Sequence, residues 1–338
     1  QSFDTATART DNQQRWTHFG SPQLNRLIEQ ARRESYDLAA AMARVRQAEA
    51  SAVIAGAPLL PAVTAGLNGT RQELLRGKGY SQLDVNRDNR TIDYYDAHLS
   101  ASYELDFWGG KRAARDSALS SLSASQFDRA TVELTLLSGV ANSYTQALSL
   151  REQQRIAEQN LDNAQRVLDL VQTRYDAGSA TALELSQQKS LVAAQQRRLP
   201  QVQQQAREAL ISLAALLGQP VQSVTLDDEN FDRLHWPAID AGVPSDLLSR
   251  RPDIAAAEAR LAAAQADISV ARAAMLPSVT LGLSLATGAD IAEQLLRNNV
   301  YNLTAGLAAP IFNNGRLKAE RDRATARQEE LLELYRAA

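Results

Sequence analysis

The 338-residue sequence contains no cysteine, which excludes disulfides, thiol catalysis and Cys-ligated metal centres. Aromatic residues make up only 5%, and 16 Gly with 10 Pro together fall short of the usual share of about 12% of a chain. Few helix breakers in an Ala-rich sequence make a helix-forming composition. There is no run of about 18 apolar residues, so no helix is expected to span a bilayer, and any membrane role must use strands. The 36 basic and 39 acidic side chains leave a net charge of -3 without a long basic run. A nucleic-acid groove needs clustered Lys and Arg, so no nucleic-acid partner is expected. The three histidines, His18, His98 and His235, stand in separate contexts with no H-x-x-x-H or H-x-E partner, so no metal site is read. No G-x-S-x-G elbow and no P-loop occurs, and Gly109-Gly110 lacks the remaining glycines of a dinucleotide fingerprint. Neither a cofactor nor an enzymatic activity is expected. Glu104 and Asp106 share one face of an extended segment and could in principle do acid–base chemistry; the polar wall of a lumen explains them more simply.

What is present is an internal repeat. Residues 37–67 align without a gap on residues 253–283 at an offset of 216, with 16 of 31 positions identical. Much of that is Ala, but Leu60-Pro61, Val63-Thr64 and Gly66-Leu67 return as Leu276-Pro277, Val279-Thr280 and Gly282-Leu283, so a duplication is required. Phe107, Gly110 and Lys111 match Phe312, Gly315 and Arg316 at an offset of 205, which places a shorter loop in the second copy.

Within each copy the period changes from helical to extended, and a proline marks the change because it cannot continue a helix interior: Pro61 and Pro277. From Tyr95 to Phe107 the apolar set Ala97, Leu99, Ala101, Tyr103, Leu105, Phe107 alternates strictly with Asp96, His98, Ser100, Ser102, Glu104, Asp106. Val279 to Leu285 and Tyr301 to Ile311 alternate in the same way. Four strands of about ten residues follow, paired through loops near 76–94 and 287–299.

The rest reads as helix. From Arg112 to about Tyr175 there is no Pro and one Gly, Gly139, which permits about 95 Å of continuous helix. Val140, Ala147, Leu161, Leu168 and Tyr175, interrupted by Gln154, form one heptad seam; Leu150, Ala157, Ala164 and Val171 form a second. After a turn at Asp176–Ser179, Leu185, Val192, Leu199, Ala206 and Leu213 continue the pattern, with Pro200 expected to bend the helix. Gly178 suits a left-handed C-cap, and Thr181 with Glu184 three residues on suits a capping box. Gly109, Gly110, Asn314 and Gly315 mark the turns from strand into helix. The expected divisions are an extended segment at 1–20, a first copy at 21–218 (strands about 61–107, helical hairpin about 110–217), a connector at 219–245, and a second copy at 246–338 (strands about 277–312).

Alternating segments of about ten residues are the signature of a transmembrane β-barrel, and a soluble sandwich with one buried face is the alternative. Small residues on the strands, and helices too long to fold back over them, favour the barrel. Four strands cannot close on themselves, and open edges are intolerable in lipid, so such a barrel must be completed by other chains.

YELDFWGGKRAARDSA (103–118), RYDAGSATALELSQ (174–187), VPSDLLSRRPDIAAAEARL (243–261), ARAAMLPSVTLG (271–282) and APIFNNGRLKAERDRA (309–324) resemble the TolC/OprM-type outer-membrane factor family, especially its OprM-like branch. The likeness runs from about Trp16 to the last residue. It implies a mainly α fold with four strands per chain, a homotrimer with a 12-stranded outer-membrane barrel, and a periplasmic coiled-coil α-barrel about 100 Å long. It also implies a passive exit duct of a tripartite efflux pump for drugs or other small amphipathic compounds, joined by a periplasmic adaptor to a proton-driven inner-membrane pump. A type I protein-secretion duct and a non-conducting periplasmic scaffold are the alternatives. By the same resemblance Arg174, Tyr175, Asp176, Gly178, Ser179 and Thr181 match the adaptor-facing tip, and Glu184, with Asp176, matches the acidic constriction; Glu stands where Asp is more usual. Members of this branch begin with a lipid-modified Cys, which this chain lacks, and the second copy stops within a helical pattern. A natural chain longer by roughly a hundred residues is expected from the copy offset.

Overall fold

The computed structural model describes residues 16–73, 91–226, 231–236, 250–291 and 294–338. In chain order these form α1 (Pro22–Glu34), α2 (Tyr36–Gly56), β1 (Ala62–Glu73), β2 (Thr91–Leu105), α3 (Gly110–Asp176), α4 (Ala182–Leu216), α5 (Pro252–Ala273), β3 (Ser278–Ala289), β4 (Asn299–Ala308) and α6 (Arg316–Ala337). The repeat is visible in these bounds: β1 and β3 are both 12 residues long and start and end 216 positions apart. Among the described residues no helix is long and apolar enough to cross a membrane. The chain divides into two compact units, residues 1–45 with 126–255, and residues 46–125 with 256–338.

The first unit is helical and has a conventional core. Leu24, Leu27, Ile28 and Ala31 repeat at helical spacing on α1 and bury against Leu136, Leu137, Val140, Ala141, Tyr144 and Leu148 of α3 and Leu213 of α4. Ser21 caps α1 by accepting the Leu24 N–H at 3.0 Å. Its hydroxyl also lies 3.2 Å from Tyr144 Oη, which donates to Gln23 Oε1 at 3.2 Å, while Gln23 Nε2 donates to the Thr225 carbonyl at 2.7 Å. Three buried polar side chains are thereby satisfied, and the connector is tied to α1 and α3. The heptad reading holds in part: Val140, Ala147, Leu150, Ala157 and Ala164 are buried on α3 and Leu185, Val192 and Leu213 on α4, whereas Leu161, Leu168, Val171, Leu199 and Ala206 are half-buried and Tyr175, beside the turn, is exposed. A second set on α4, Val202 and Ala209, is buried as well, and Gln188 on the same sevenfold spacing donates to the Ala164 carbonyl at 3.0 Å. α4 runs through Pro200 without a break.

In the second unit the four strands form one antiparallel sheet in the order β1-β2-β3-β4. β2 and β3 are neighbours although the whole helical hairpin lies between them in sequence. Four strand boundaries differ from expectation, the first being that β3 runs to Ala289, so Thr287–Ala289 belong to the strand rather than the loop. β2 begins at Thr91 and ends at Leu105, so Thr91–Tyr94 belong to the strand rather than the loop, and Phe107 lies in a turn. β4 ends at Ala308 rather than at Ile311. The loop residues 74–90, part of the connector (227–230 and 237–245), the first residues of the second copy (246–249) and residues 1–15 lie outside the described residues; Trp16–Phe19, expected to be extended, make a helical turn.

Candidate functional site: a two-faced sheet and two kinds of turn

Strand register sorts the sheet residues into two sets. One set joins Val63, Ala65 and Leu67 of β1, Ala97, Leu99, Ala101, Tyr103 and Leu105 of β2, Val279, Leu281, Leu283 and Leu285 of β3, and Tyr301, Leu303, Ala305 and Leu307 of β4. These are apolar, the same register adding the polar Thr287 and Asn299 beside Ala97 near one end of the face, and most of the large ones are exposed; Leu303 is 77% and Leu67 74% accessible. The opposite set joins Thr64, Gly66 and Asn68 with Ser100, His98 and Asp96, then Ser284, Ala286 and Gly288, then Asn302, Thr304 and Gly306. These are polar or small, with Val300 opposite Ala286 and Tyr94 opposite Thr70 as the large exceptions on the same face, and they bond across the strands: Thr64 to Ser100 at 2.8 Å, Asn68 Nδ2 to Asp96 Oδ2 at 3.0 Å, and Thr304 to the Gly282 carbonyl at 3.3 Å. Along β2 the apolar set runs from Tyr95 to Leu105, about 33 Å at 3.3 Å per residue, or about 25 Å of height at a barrel tilt near 40°. That height matches the apolar band of an outer-membrane barrel. Beyond it, Arg71 and Asp93 pair at 3.7 Å on the same face. The outer edges of β1 and β4 have no partner strand among the described residues.

The turns from strand into helix carry their own chemistry. Gly109 (φ 72°), Asn314 (φ 51°) and Gly315 (φ 78°) adopt the left-handed backbone that reverses the chain. Gly110 is required for a different reason: a Cβ there would stand 2.7 Å from Ala273 Cβ of α5. Asp106 is not part of a polar strand face. Its carboxylate turns onto the start of α3, accepting the N–H groups of Lys111 (2.9 Å) and Arg112 (3.0 Å) and the Arg112 guanidinium (3.0 Å). Burial raises its pKa, and these donors outweigh burial, so the carboxyl sits below the usual value. Glu104 pairs with Lys111 at 3.3 Å. Both carboxylates are thus committed to the helix start, and neither faces the other as an acid–base pair. In the second copy Asn313 Oδ1 accepts the Leu317 N–H at 3.3 Å, a weaker version of the same cap.

In the first unit, α3 ends in a turn that gathers every residue from Arg174 to Glu184 named from the sequence. The Ser179 N–H donates to the Arg174 carbonyl (2.8 Å) and the Gly178 N–H to that of Tyr175 (2.9 Å), with Gly178 at φ 74°. This is a Schellman closure, and it explains Gly178. The Arg174 guanidinium donates to the Ser179 carbonyl at 3.1 Å, and the Asp176 carboxylate accepts from Gln172 at 3.0 Å. Thr181 and Glu184 form the complete capping box: the Thr181 N–H donates to Glu184 Oε2 at 2.7 Å and the Glu184 N–H to Thr181 Oγ1 at 3.2 Å. The Thr181 N–H, then its hydroxyl, and the nearby Arg174 charge hold the Glu184 carboxyl below its ordinary range. Tyr175 and Leu183 are exposed beside the turn. Among the described residues no group of three or more His, Asp or Glu side chains could hold a metal ion.

The sequence reading missed two arrangements. It listed Asp96 and His98 only as members of an alternating strand and did not see that, with Asn68, they form a bonded set; the signal available was their shared parity. It also missed the Asp106 cap, which an Asp placed just ahead of a Gly-Gly helix start could have suggested.

Comparison with known proteins gives a consistent result. The family model described as outer membrane efflux protein matches residues 27–219 and 243–338. The pyoverdine export outer membrane protein OpmQ of Pseudomonas aeruginosa is 63% identical over 329 residues, 97% of this chain and 69% of its own length. The cation efflux system protein CusC of Escherichia coli is 30% identical over 94% of this chain and 68% of its own. The solved structure of the outer membrane protein VceC from Vibrio cholerae superposes with a TM-score of 0.85 at 28% identity, covering 95% of this chain and 76% of that one.

Proposed function

Because the chain belongs to the outer membrane efflux protein family, we propose that it is the exit duct of a tripartite export pump: a passive homotrimer that performs no chemistry. Three copies of the four-stranded sheet pair edge to edge into one barrel, with the apolar face in lipid and the polar face around water. The helices continue the duct through the periplasm, where an adaptor joins it to an inner-membrane pump that supplies the energy. The observation that carries this reading is the sheet itself, with apolar side chains exposed on one face, a hydrogen-bonded polar row on the other and two open edges. Such a sheet is unstable alone in water and satisfied in a closed barrel in lipid.

The cargo is a small amphipathic compound. The 63% identity to a pyoverdine exporter supports a secreted siderophore of that kind ahead of a drug, and no relative described above is a protein-secretion duct. The Arg174–Thr181 turn is the docking surface for the adaptor, and Asp176 with Glu184 supplies the charges at the periplasmic narrowing. A deletion strain, with and without the cognate pump genes, tests the reading: siderophore in the culture supernatant should fall several-fold and return with this chain. Unchanged siderophore together with unchanged antibiotic susceptibility overturns it.

A further inference from the structure

The polar face of the sheet carries few fixed charges. Among its described residues there are two carboxylates, Glu104 and Asp96. Glu104 is neutralised by Lys111 at 3.3 Å. Among the described residues Asp96 has no Lys or Arg partner; its contacts there are Asn68 Nδ2 at 3.0 Å and His98 Nδ1 at 3.2 Å. The imidazole is held flat along the wall, because it lies over Gly66, where a Cβ would come within 2.4 Å of the ring. The groups facing His98 can be enumerated by strand. β1 brings Thr64, Gly66 and Asn68; β3 brings Ser284, Ala286 and Gly288; β2 itself brings Asp96, Ser100 and Tyr94, the last lying over Gly288. Asp96 is the one charged side chain in that set.

From this juxtaposition we infer that the Asp96–His98 pair determines the charge preference of the duct within the barrel: each chain presents a net negative charge on the water face when the imidazole is neutral and none when it is protonated. Histidine is the side chain whose charge changes between pH 5 and 8. In the proposed trimer three such pairs sit at one level of the wall, so anionic cargo is disfavoured there while the imidazole is neutral and passes more freely once it is protonated. The inference rests on the duct reading, since it needs the polar face to line water.

The absence of cysteine allows a local test. Ser100 lies on the polar face two residues from His98, and Leu99 lies on the apolar face. The full chain bearing Ser100→Cys, reconstituted in liposomes, is treated with cationic and anionic thiosulfonate reagents of equal size. The ratio of the two rates reports local potential, because thiol ionisation cancels. A unit charge about 7 Å away in water-like surroundings shifts such a ratio by about threefold or more. The cationic reagent should be favoured about threefold more at pH 7.5 than at pH 5.5. His98→Gln should make the ratio independent of pH, and Asp96→Asn should remove the cationic preference at pH 7.5. A pH-dependent ratio that survives His98→Gln, or a flat ratio in the parent, overturns the inference while leaving the duct intact. Labelling of Leu99→Cys with none of Ser100→Cys reverses the faces and overturns both.

Discussion

The two units of this chain use apolar side chains in opposite ways. In residues 1–45 with 126–255, large ones build a core removed from solvent, with Leu24, Leu137, Val140, Tyr144, Leu213 and Leu217 fully buried, although others such as Leu170 and Leu183 are exposed. In residues 46–125 with 256–338, the buried positions are mostly alanines, such as Ala52, Ala124, Ala256 and Ala264, while the leucines of the sheet are exposed. One region completes its core within a single chain. The other carries an apolar surface whose solvent has to be lipid and whose open edges have to meet further strands. The same hydrophobic term therefore acts as a folding force in one region and as an address in the other.

The largest effects should separate these two uses. Leu213→Ala, which empties a fully buried site, should cost about 2–5 kcal/mol in denaturant unfolding of the detergent-solubilised chain. Leu303→Ala, at a site 77% exposed, should stay within about 0.5 kcal/mol in the same measurement. Equal costs would break the comparison. It is sharpened by placing a charge on each face of one strand. In urea titrations of folding into liposomes, Leu303→Arg should cost about 2–4 kcal/mol, because it puts a guanidinium in hydrocarbon, and Asn302→Arg should cost much less. A larger cost at position 302 would mean that the faces have been assigned the wrong way round.

Much of this organisation was legible in the sequence, for a physical reason: both periodicities are imposed by backbone geometry. The sevenfold spacing of Val140, Ala147, Leu185 and Val192 found the buried seam, and the alternation through Ala97, Leu99 and Ala101 found the two faces. Sequence spacing carries no information on which distant strands meet, so the β2–β3 pairing could not be read. The Ser21–Tyr144–Gln23 network escaped because buried polar partners more than a hundred residues apart leave no local pattern. At the Arg174–Glu184 turn, short-range chemistry fixed the geometry, and Gly178 and the capping box were readable from spacing alone. Asp106 escaped because the alternation continued through it: parity placed it on the strand face, whereas three donors at the start of α3 bent the chain away.

That override gives a smaller and more local contrast between the two units, in how each begins a helix. Asp106→Ala removes the acceptor for two backbone N–H groups and the Arg112 guanidinium, and should destabilise the second unit by about 1–2 kcal/mol. Thr181→Ala opens the capping box in the first unit and should cost about 1 kcal/mol or less, with local fraying seen as faster amide exchange across Ala182–Leu185. Both carboxyls sit below their ordinary values of 3.8 and 4.5. Each therefore stabilises the folded state above its unfolded pKa, and that contribution disappears as pH falls through the lower folded pKa. The difference between the parent and Asp106→Asn should accordingly be full at pH 7 and shrink below about pH 4, and that for Glu184→Gln should shrink below about pH 4.5. A difference undiminished at pH 2 would show that shape, not charge, makes the cap.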